Sequence, residues 1–480
     1  MIQEVLNNSP GEGSLASEVC AQEPRRGGHG VLVRVHRLLP ALPGLQLLRW
    51  GADPSAEPLI FSLWCEPTQD LWLVGRGAAV SAEAPAGEQR FLALSDLRSR
   101  LFEQVHVAGP PIPSEVPAAW LTSRFHSTPG LSGAAVAAWQ GWPSAQLRVP
   151  AEVAYRSGGR TGWVGQAWVE DPSEARAVLD RLNQRAATLG ALQGPLPPDE
   201  APVALEREAL PERERWLDLV ERARETLAEG ELRKLVLARA LRLRRQDGRS
   251  FSPTRALERL VERHADQPGA IVFAEGAGGA CFLGASPEPL FRLSERRLTT
   301  QALAGTAPAH QDPEQALLAD PKTRREHGLV VDAIRGALAS RSERLVAASA
   351  PAPRRVGQLW HLETPIAATL RRGQGPCELL AALHPTPALG GDPRQAAQRW
   401  LREEEGLARG AYGAPLGWLS PAGEAAFLVG IRSALLRGPE AWAFAGAGIV
   451  PASDPAAEWA ETELKLRPAL EALDAWEEPS

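Results

Sequence analysis

The stretch from residue 212 to residue 293 constrains the fold most, because its periodicity switches between helix and strand over short intervals. Trp216, Leu219, Val220, Ala223 and Leu227 recur at helical spacing and Gly230 ends the run, which predicts an amphipathic helix over 212–230. A strand is expected over 232–243, a helix over 253–264, and strands over 269–274, 280–284 and 290–293. Only short turns separate several of these strands. A parallel sheet needs a long crossover between successive strands, so the pattern selects an α+β or mixed sandwich over a doubly wound fold.

The first half reads as strands and loops broken by Gly and Pro, with strands at 30–36, 58–64 and 70–75. A helix is expected over 172–189, where Ala175, Val178, Leu179 and Leu182 fall on one stripe. The Pro-rich run 193–202 has the composition of a linker. Hydrophobic residues make up 44% of the 480 and charged residues 23%, enough apolar material for a deep core.

Lys+Arg 52 against Asp+Glu 58 leaves a net charge of -6, which argues against an electrostatic nucleic-acid binder. Cys20, Cys65, Cys281 and Cys377 lie far apart without a C-x-x-C pair, so neither a zinc cage nor a disulfide framework is expected. The N-terminus lacks a basic segment followed by an apolar one, and no uncharged apolar run reaches the ~18 residues of a membrane span. A cytoplasmic protein with no membrane partner is the expectation.

Lys234, Lys322 and Lys465 are the only lysines among the 52 basic residues. Where arginine serves almost everywhere, a retained lysine is either a chance survivor or a place where a guanidinium would not do, since a desolvated lysine can deprotonate and an arginine cannot. Lys234 shares a strand face with Leu232, Val236 and Ala238. Burial there would suit a general base, and the alternative is a lysine snorkelling at a strand edge. Glu288 follows a Ser-Pro turn at a strand end, where an apolar setting would make it a proton donor and a solvated one would leave it an ordinary loop residue.

Residues from Asp320 onward open a helix in which Lys322 and Glu326, four apart, read by default as a surface ion pair. Asp454 looks like an N-cap with Pro455 at the first helical position; Glu458 and Glu461 share a face, and Lys465 follows one turn on. Those two carboxylates with Glu326 from the other helix would suit one Mg²⁺, although acidic pairs on helices are commonly just solvated. Gly446-Ala-Gly448-Ile-Val-Pro451 begins like a dinucleotide fingerprint, but Pro451 occupies the final glycine position and argues against a nicotinamide site.

Together these segments resemble the chorismate-utilising enzymes, and most closely the isochorismate synthases, relatives of anthranilate synthase component I and salicylate synthase. The resemblance covers about residues 212–473. It is carried by Lys234-Leu-Val-Leu-Ala-Arg239, Gly284-Ala-Ser-Pro-Glu288, Leu303-Ala-Gly-Thr306, Lys322-Thr-Arg-Arg-Glu-His327 and His361-Leu-Glu-Thr-Pro365. It continues through Leu383-His-Pro-Thr-Pro-Ala-Leu-Gly-Gly391, Arg409-Gly-Ala-Tyr412, Ile431-Arg-Ser-Ala434, Ala445-Gly-Ala-Gly-Ile-Val450 and Glu458-Trp-Ala-Glu-Thr-Glu-Leu-Lys465.

The resemblance implies a layered α/β/β/α sandwich with two large, mainly antiparallel sheets and outer helices. Residues 1–200 would be a variable part completing that sandwich, and 201–480 the chorismate-binding catalytic region. It implies Mg²⁺-dependent conversion of chorismate to isochorismate by water addition at carbon 2 and loss of the carbon 4 hydroxyl. On this reading Lys234 activates the water, and Glu288 protonates the leaving hydroxyl. Glu326, Glu458 and Glu461 hold the metal. Arg432 and Lys465 hold the enolpyruvyl carboxylate, with Tyr412, Gly446 and Gly448 beside it.

His361 would lie near the carbon 4 hydroxyl; without the resemblance it reads as a core histidine capped by a backbone carbonyl. Gly305 and Thr306 form a close-approach loop, and Ala388 with Leu389 gives the apolar wall of simple isochorismate synthases, where lyase and aminating members often place a threonine. Lysine at 234 implies water as nucleophile, and hence no glutaminase subunit. Menaquinone synthesis is the expected pathway and a monomer or weak dimer the expected assembly. The alternatives are a siderophore-pathway isochorismate synthase, a salicylate synthase, and an inactive chorismate-binding protein.

Overall fold

The computed structural model describes residues 30–52, 60–126, 134–189, 192, 203–357 and 359–477. The linker read at 193–202, the N-terminal residues and Cys20 lie outside them. Among the described residues, strands form one sheet of thirteen and another of ten. All pairings are antiparallel except that of Val31–Leu39 with Val105–Ala108. No described helix is long and apolar enough to cross a membrane.

Alternation of side chains explains the layering. In the strands Ile271–Ala277 and Ala280–Ser286 every residue is buried. Val272, Ala274 and Leu283 face a core shared with the helices Pro253–Arg263 and Pro455–Ala472, while Ile271, Phe273 and Phe282 face the second sheet with Trp64, Trp120, Trp139 and Trp418. Successive strand residues point to opposite faces, so a strand covered on both sides must be apolar throughout. Each fully buried side chain of this size contributes about 1.5–3 kcal/mol relative to exposure. The helix Pro321–Ala339 covers the far face of the second sheet, against the strand Arg297–Pro308. The order helix, sheet, sheet, helix is the layered α+β sandwich expected.

Strands from the first 170 residues extend both sheets directly: Cys65 pairs with Val272, and Trp120 with Trp418. The expected helices and strands fall within a few residues of their observed bounds, including Arg213–Ala228 for 212–230 and Lys234–Arg245 for 232–243. Asp454 caps its helix as expected, its side chain accepting from the Ala457 N–H at 2.8 Å ahead of Pro455.

A buried ion pair fixes the strand Lys234–Arg245 to the loops around it. Arg409 and Glu405 are 0% and 1% exposed. The guanidinium donates to both Glu405 oxygens and to the carbonyls of Leu389 (2.8 Å) and Val236 (2.6 Å). Glu405 also accepts from the Ala238 N–H at 2.8 Å. Removing one partner strands a charge in the core, so Arg409→Leu is expected to destabilise by about 3–5 kcal/mol in urea unfolding. Arg215→Ala, which breaks the exposed Arg215 to Asp218 pair, should cost under about 0.5 kcal/mol. Similar losses for the two would refute the assignment.

Candidate active site

One cavity of about 320 Å³ opens between the strands Lys234–Arg245 and Glu440–Ile449, the strand Arg297–Pro308, and the helices Pro321–Ala339 and Pro455–Ala472. Every site residue expected from the sequence lines it: Lys234, Glu288, Gly305, Thr306, Glu326, His361, Ala388, Leu389, Tyr412, Arg432, Gly446, Gly448, Glu458, Glu461 and Lys465.

Lys234 is 1% exposed, and its Nζ lies 2.8 Å from Oε1 of Glu326. It is neither a strand-edge lysine nor free. Burial pushes the Glu326 carboxyl up, but Lys234, by charge and hydrogen bond, and then Lys465 and Lys322 hold it below its ordinary value. Gly448, on the strand beside Lys234, leaves room for this pair: a Cβ there would lie 2.7 Å from the Glu326 carboxylate and 3.3 Å from Cε of Lys234.

Glu288 follows the strand Ala280–Ser286, its N–H held by Oγ of Ser286 at 3.2 Å, while that hydroxyl donates to the Val429 carbonyl at 2.7 Å. Its side chain is buried rather than a solvated loop residue. Burial raises its pKa to about 7, against the opposing pull of Lys234, Arg432 and Lys465. Near neutrality it holds a proton about half the time.

His361 sits on the strand Leu359–Leu370. Its Nδ1 lies 2.8 Å from the Gly305 carbonyl, while Nε2 is buried without a partner. Burial first, then Arg432 and Lys465, lowers its pKa to about 3, so the ring is neutral. A carbonyl only accepts, so Nδ1 carries the hydrogen and Nε2 keeps an unshared lone pair with no partner. The carbonyl cap read from the sequence and the place at the cavity wall are therefore both features of this ring.

Arg432, with a left-handed backbone (φ 52), is 9% exposed, and burial lowers its pKa despite Tyr412, Glu461 and Glu288. Tyr412 stacks on Phe444 at 5.5 Å, and burial pushes its phenol up, keeping it neutral. Lys465 donates to the Gly446 carbonyl at 2.9 Å and to Glu461 at 2.5 Å. Burial and then Glu461 raise the pKa of Glu458 to about 7.

The helix-surface pair read between Lys322 and Glu326 is absent. Lys322 turns to Glu458 on the other helix, 3.8 Å away, because Glu326 is taken by Lys234, whose buried ammonium has the greater need of a counter-ion. All three lysines of the chain thus line one cavity, each facing one of three glutamates. Sequence reading marked Lys322 by its rarity as a lysine but gave it no role in the site, reading it as a surface ion-pair partner. It missed Thr323, whose methyl packs under Gly305, and Phe444.

The three carboxylates face the same cavity without meeting at one point. Among the described residues no cluster of three or more acidic, histidine or cysteine side chains is gathered to hold a metal. Their chemistry nevertheless suits a hard divalent cation, which takes oxygen ligands and would relieve the repulsion between Glu458 and Glu461.

Residues 18–474 match the profile of the chorismate binding enzymes. The chain is 37% identical to the salicylate biosynthesis isochorismate synthase of Pseudomonas aeruginosa, over 93% of this chain and 90% of that one. It is 30% identical to the isochorismate synthase MenF of Bacillus subtilis, over 93% and 94%. Among solved structures it is similar to MenF, the menaquinone-specific isochorismate synthase from Escherichia coli. The TM-score there is 0.72 at 27% identity, with 92% of this chain and 95% of that chain covered.

A carboxyl whose folded pKa lies above its unfolded one stabilises at low pH, and that contribution is lost as pH rises through the folded value, here from about 4.5 through about 7. Glu288→Gln cannot ionise. It is therefore expected to be more stable to unfolding than the parent at about pH 8.5, by at most about 3 kcal/mol, with the gap closing toward about pH 5. A gap that does not change with pH would refute the buried-acid description.

Proposed function

The chain belongs to the chorismate binding enzyme family, and we propose that it is an isochorismate synthase, interconverting chorismate and isochorismate. The observation that carries this reading is a buried lysine and a buried glutamic acid of pKa about 7 lining one cavity with three further cations, Lys322, Arg432 and Lys465. Chorismate carries two carboxylates and a carbon 4 hydroxyl. Its isomerisation adds water at carbon 2, shifts the ring double bonds, and expels that hydroxyl as water. One proton is taken from the incoming water and one is given to the leaving oxygen.

On this reading Lys234 takes the first proton as the neutral amine, the form it must adopt by giving up its own proton before the step, and Glu288, in its protonated form, gives the second. The bare Nε2 of His361 accepts a hydrogen bond from the carbon 4 O–H, holding that oxygen for protonation by Glu288. Arg432 and Lys465 bind the enolpyruvyl carboxylate, the guanidinium fork suiting two oxygens, and the stacked Tyr412 keeps water from that side. Gly446 and Gly448 keep the wall low, Gly305 and Thr306 support the His361 ring, and Ala388 with Leu389 leaves the remaining wall apolar. Glu326, Glu458 and Glu461 would hold Mg²⁺, which when bound supplies a Lewis-acid anchor for the ring carboxylate. The described strands before residue 200 complete the sandwich, and no glutaminase subunit is required.

Two pathways use the same product. The MenF relatives favour menaquinone synthesis, and the Pseudomonas aeruginosa relative favours supply of isochorismate for salicylate. Chorismate with Mg²⁺ is expected to give a chorismate and isochorismate mixture by chromatography, with little pyruvate. Lys234→Gln should lower turnover by at least about a hundredfold, the usual worth of a general base. Stoichiometric pyruvate release, or near-normal turnover in Lys234→Gln, would overturn the reading.

Glu461→Gln is expected to weaken Mg²⁺ binding by at least about tenfold, since losing even a group that only hydrogen-bonds to a metal's ligand typically costs about ten- to a hundredfold in affinity. Activity should fall with it, and calorimetry with Mg²⁺ alone checks the first part. Unchanged Mg²⁺ dependence would remove Glu461 from the metal set.

A further inference from the structure

Lys322 stands in the wrong place for an ordinary cation. It is the second residue of the helix Pro321–Ala339, directly after Asp320 and Pro321, and its backbone N–H is one of those the Asp320 cap accepts. The N-terminal turn of a helix carries partial positive charge and favours anions, so a lysine there is opposed by the dipole. The opposing charge it finds is Glu458, in the first turn of the helix Pro455–Ala472, 3.8 Å away. The Glu458 side chain is 8% exposed and that of Lys322 is 42% exposed. The carboxylate is therefore held inside while its cation reaches in from the rim.

The residue type is informative. Arginine fills forty-nine of the 52 basic positions, yet here the chain keeps lysine. A guanidinium binds a carboxylate through a rigid fork, whereas an ammonium is a point charge on a flexible stem. Lysine can balance Glu458 and still withdraw toward solvent.

We infer that Lys322 is a tethered counter-ion for Glu458 that competes with the divalent cation and swings out when the cation binds. It is a positioning residue that touches neither substrate nor the reacting atoms. This inference rests on the reading that Glu458 is a Mg²⁺ ligand.

The test is calorimetry of the full chain with Mg²⁺ alone, without substrate. Removing an ion pair whose cation stands in solvent changes an equilibrium by roughly two- to fivefold, so Lys322→Gln should bind Mg²⁺ tighter by that factor. Its thermal unfolding midpoint should rise more on adding Mg²⁺ than that of the parent. Lys322→Arg, which holds Glu458 more firmly, should bind Mg²⁺ more weakly than the parent. In a Glu458→Gln background the Lys322→Gln effect should vanish. Equal or weaker Mg²⁺ binding by Lys322→Gln, or an effect that persists without Glu458, overturns the inference. A parent that turns over chorismate with Mg²⁺ while Lys322→Gln binds the ion no tighter sinks this inference alone. A parent with neither Mg²⁺ binding nor turnover sinks the functional reading and this inference with it.

Discussion

A lysine ammonium held at 1% exposure must have a partner, and the contact between Lys234 and Glu326 is where the two halves of the site meet. Lys234 starts a strand of the thirteen-stranded sheet; Glu326 belongs to a helix packed on the far face of the other sheet. Breaking either side would leave a charge out of water, at a cost of several kcal/mol. The pair therefore ties helix position to strand position, and the missing side chain at Gly448 lets the two approach.

Desolvation then sorts the remaining groups. It raises Glu288 to about 7 and lowers His361 to about 3, so a proton donor and a neutral acceptor line the same cavity. Tyr412 is kept a phenol by the same cause. Cations are concentrated here, with Lys234, Lys322, Lys465 and Arg432 facing Glu288, Glu326, Glu458 and Glu461. A cavity so nearly balanced receives a dianion comfortably only if some carboxylate charge is neutralised by another cation, which is the physical case for a divalent metal at the glutamates.

The scaffold uses a different device. Arg409 and Glu405 satisfy each other and the carbonyls of Leu389 and Val236, holding two cavity walls without entering the chemistry. Arg148 with Glu275 and Ser62 does the same deeper in the sandwich. In these two scaffold contacts guanidinium forks hold the pair, while all three lysines, with Arg432, stand in the cavity.

The sequence by itself determined the kinds and rough bounds of the elements after residue 212, because helix and strand periodicities and caps such as Asp454 and Gly230 are local. It also marked the lysines, since rarity is visible without a structure. What it did not determine was who pairs with whom. Spacing of four put Lys322 beside Glu326, and a lone strand lysine reads by default as snorkelling; only the tertiary structure decided that Glu326 goes to Lys234 and Lys322 to Glu458. The state of the His361 ring and the raised Glu288 were likewise beyond local pattern. Ion pairing and pKa depend on what neighbouring elements exclude from water, and that is fixed only when sheets and helices close over the cavity.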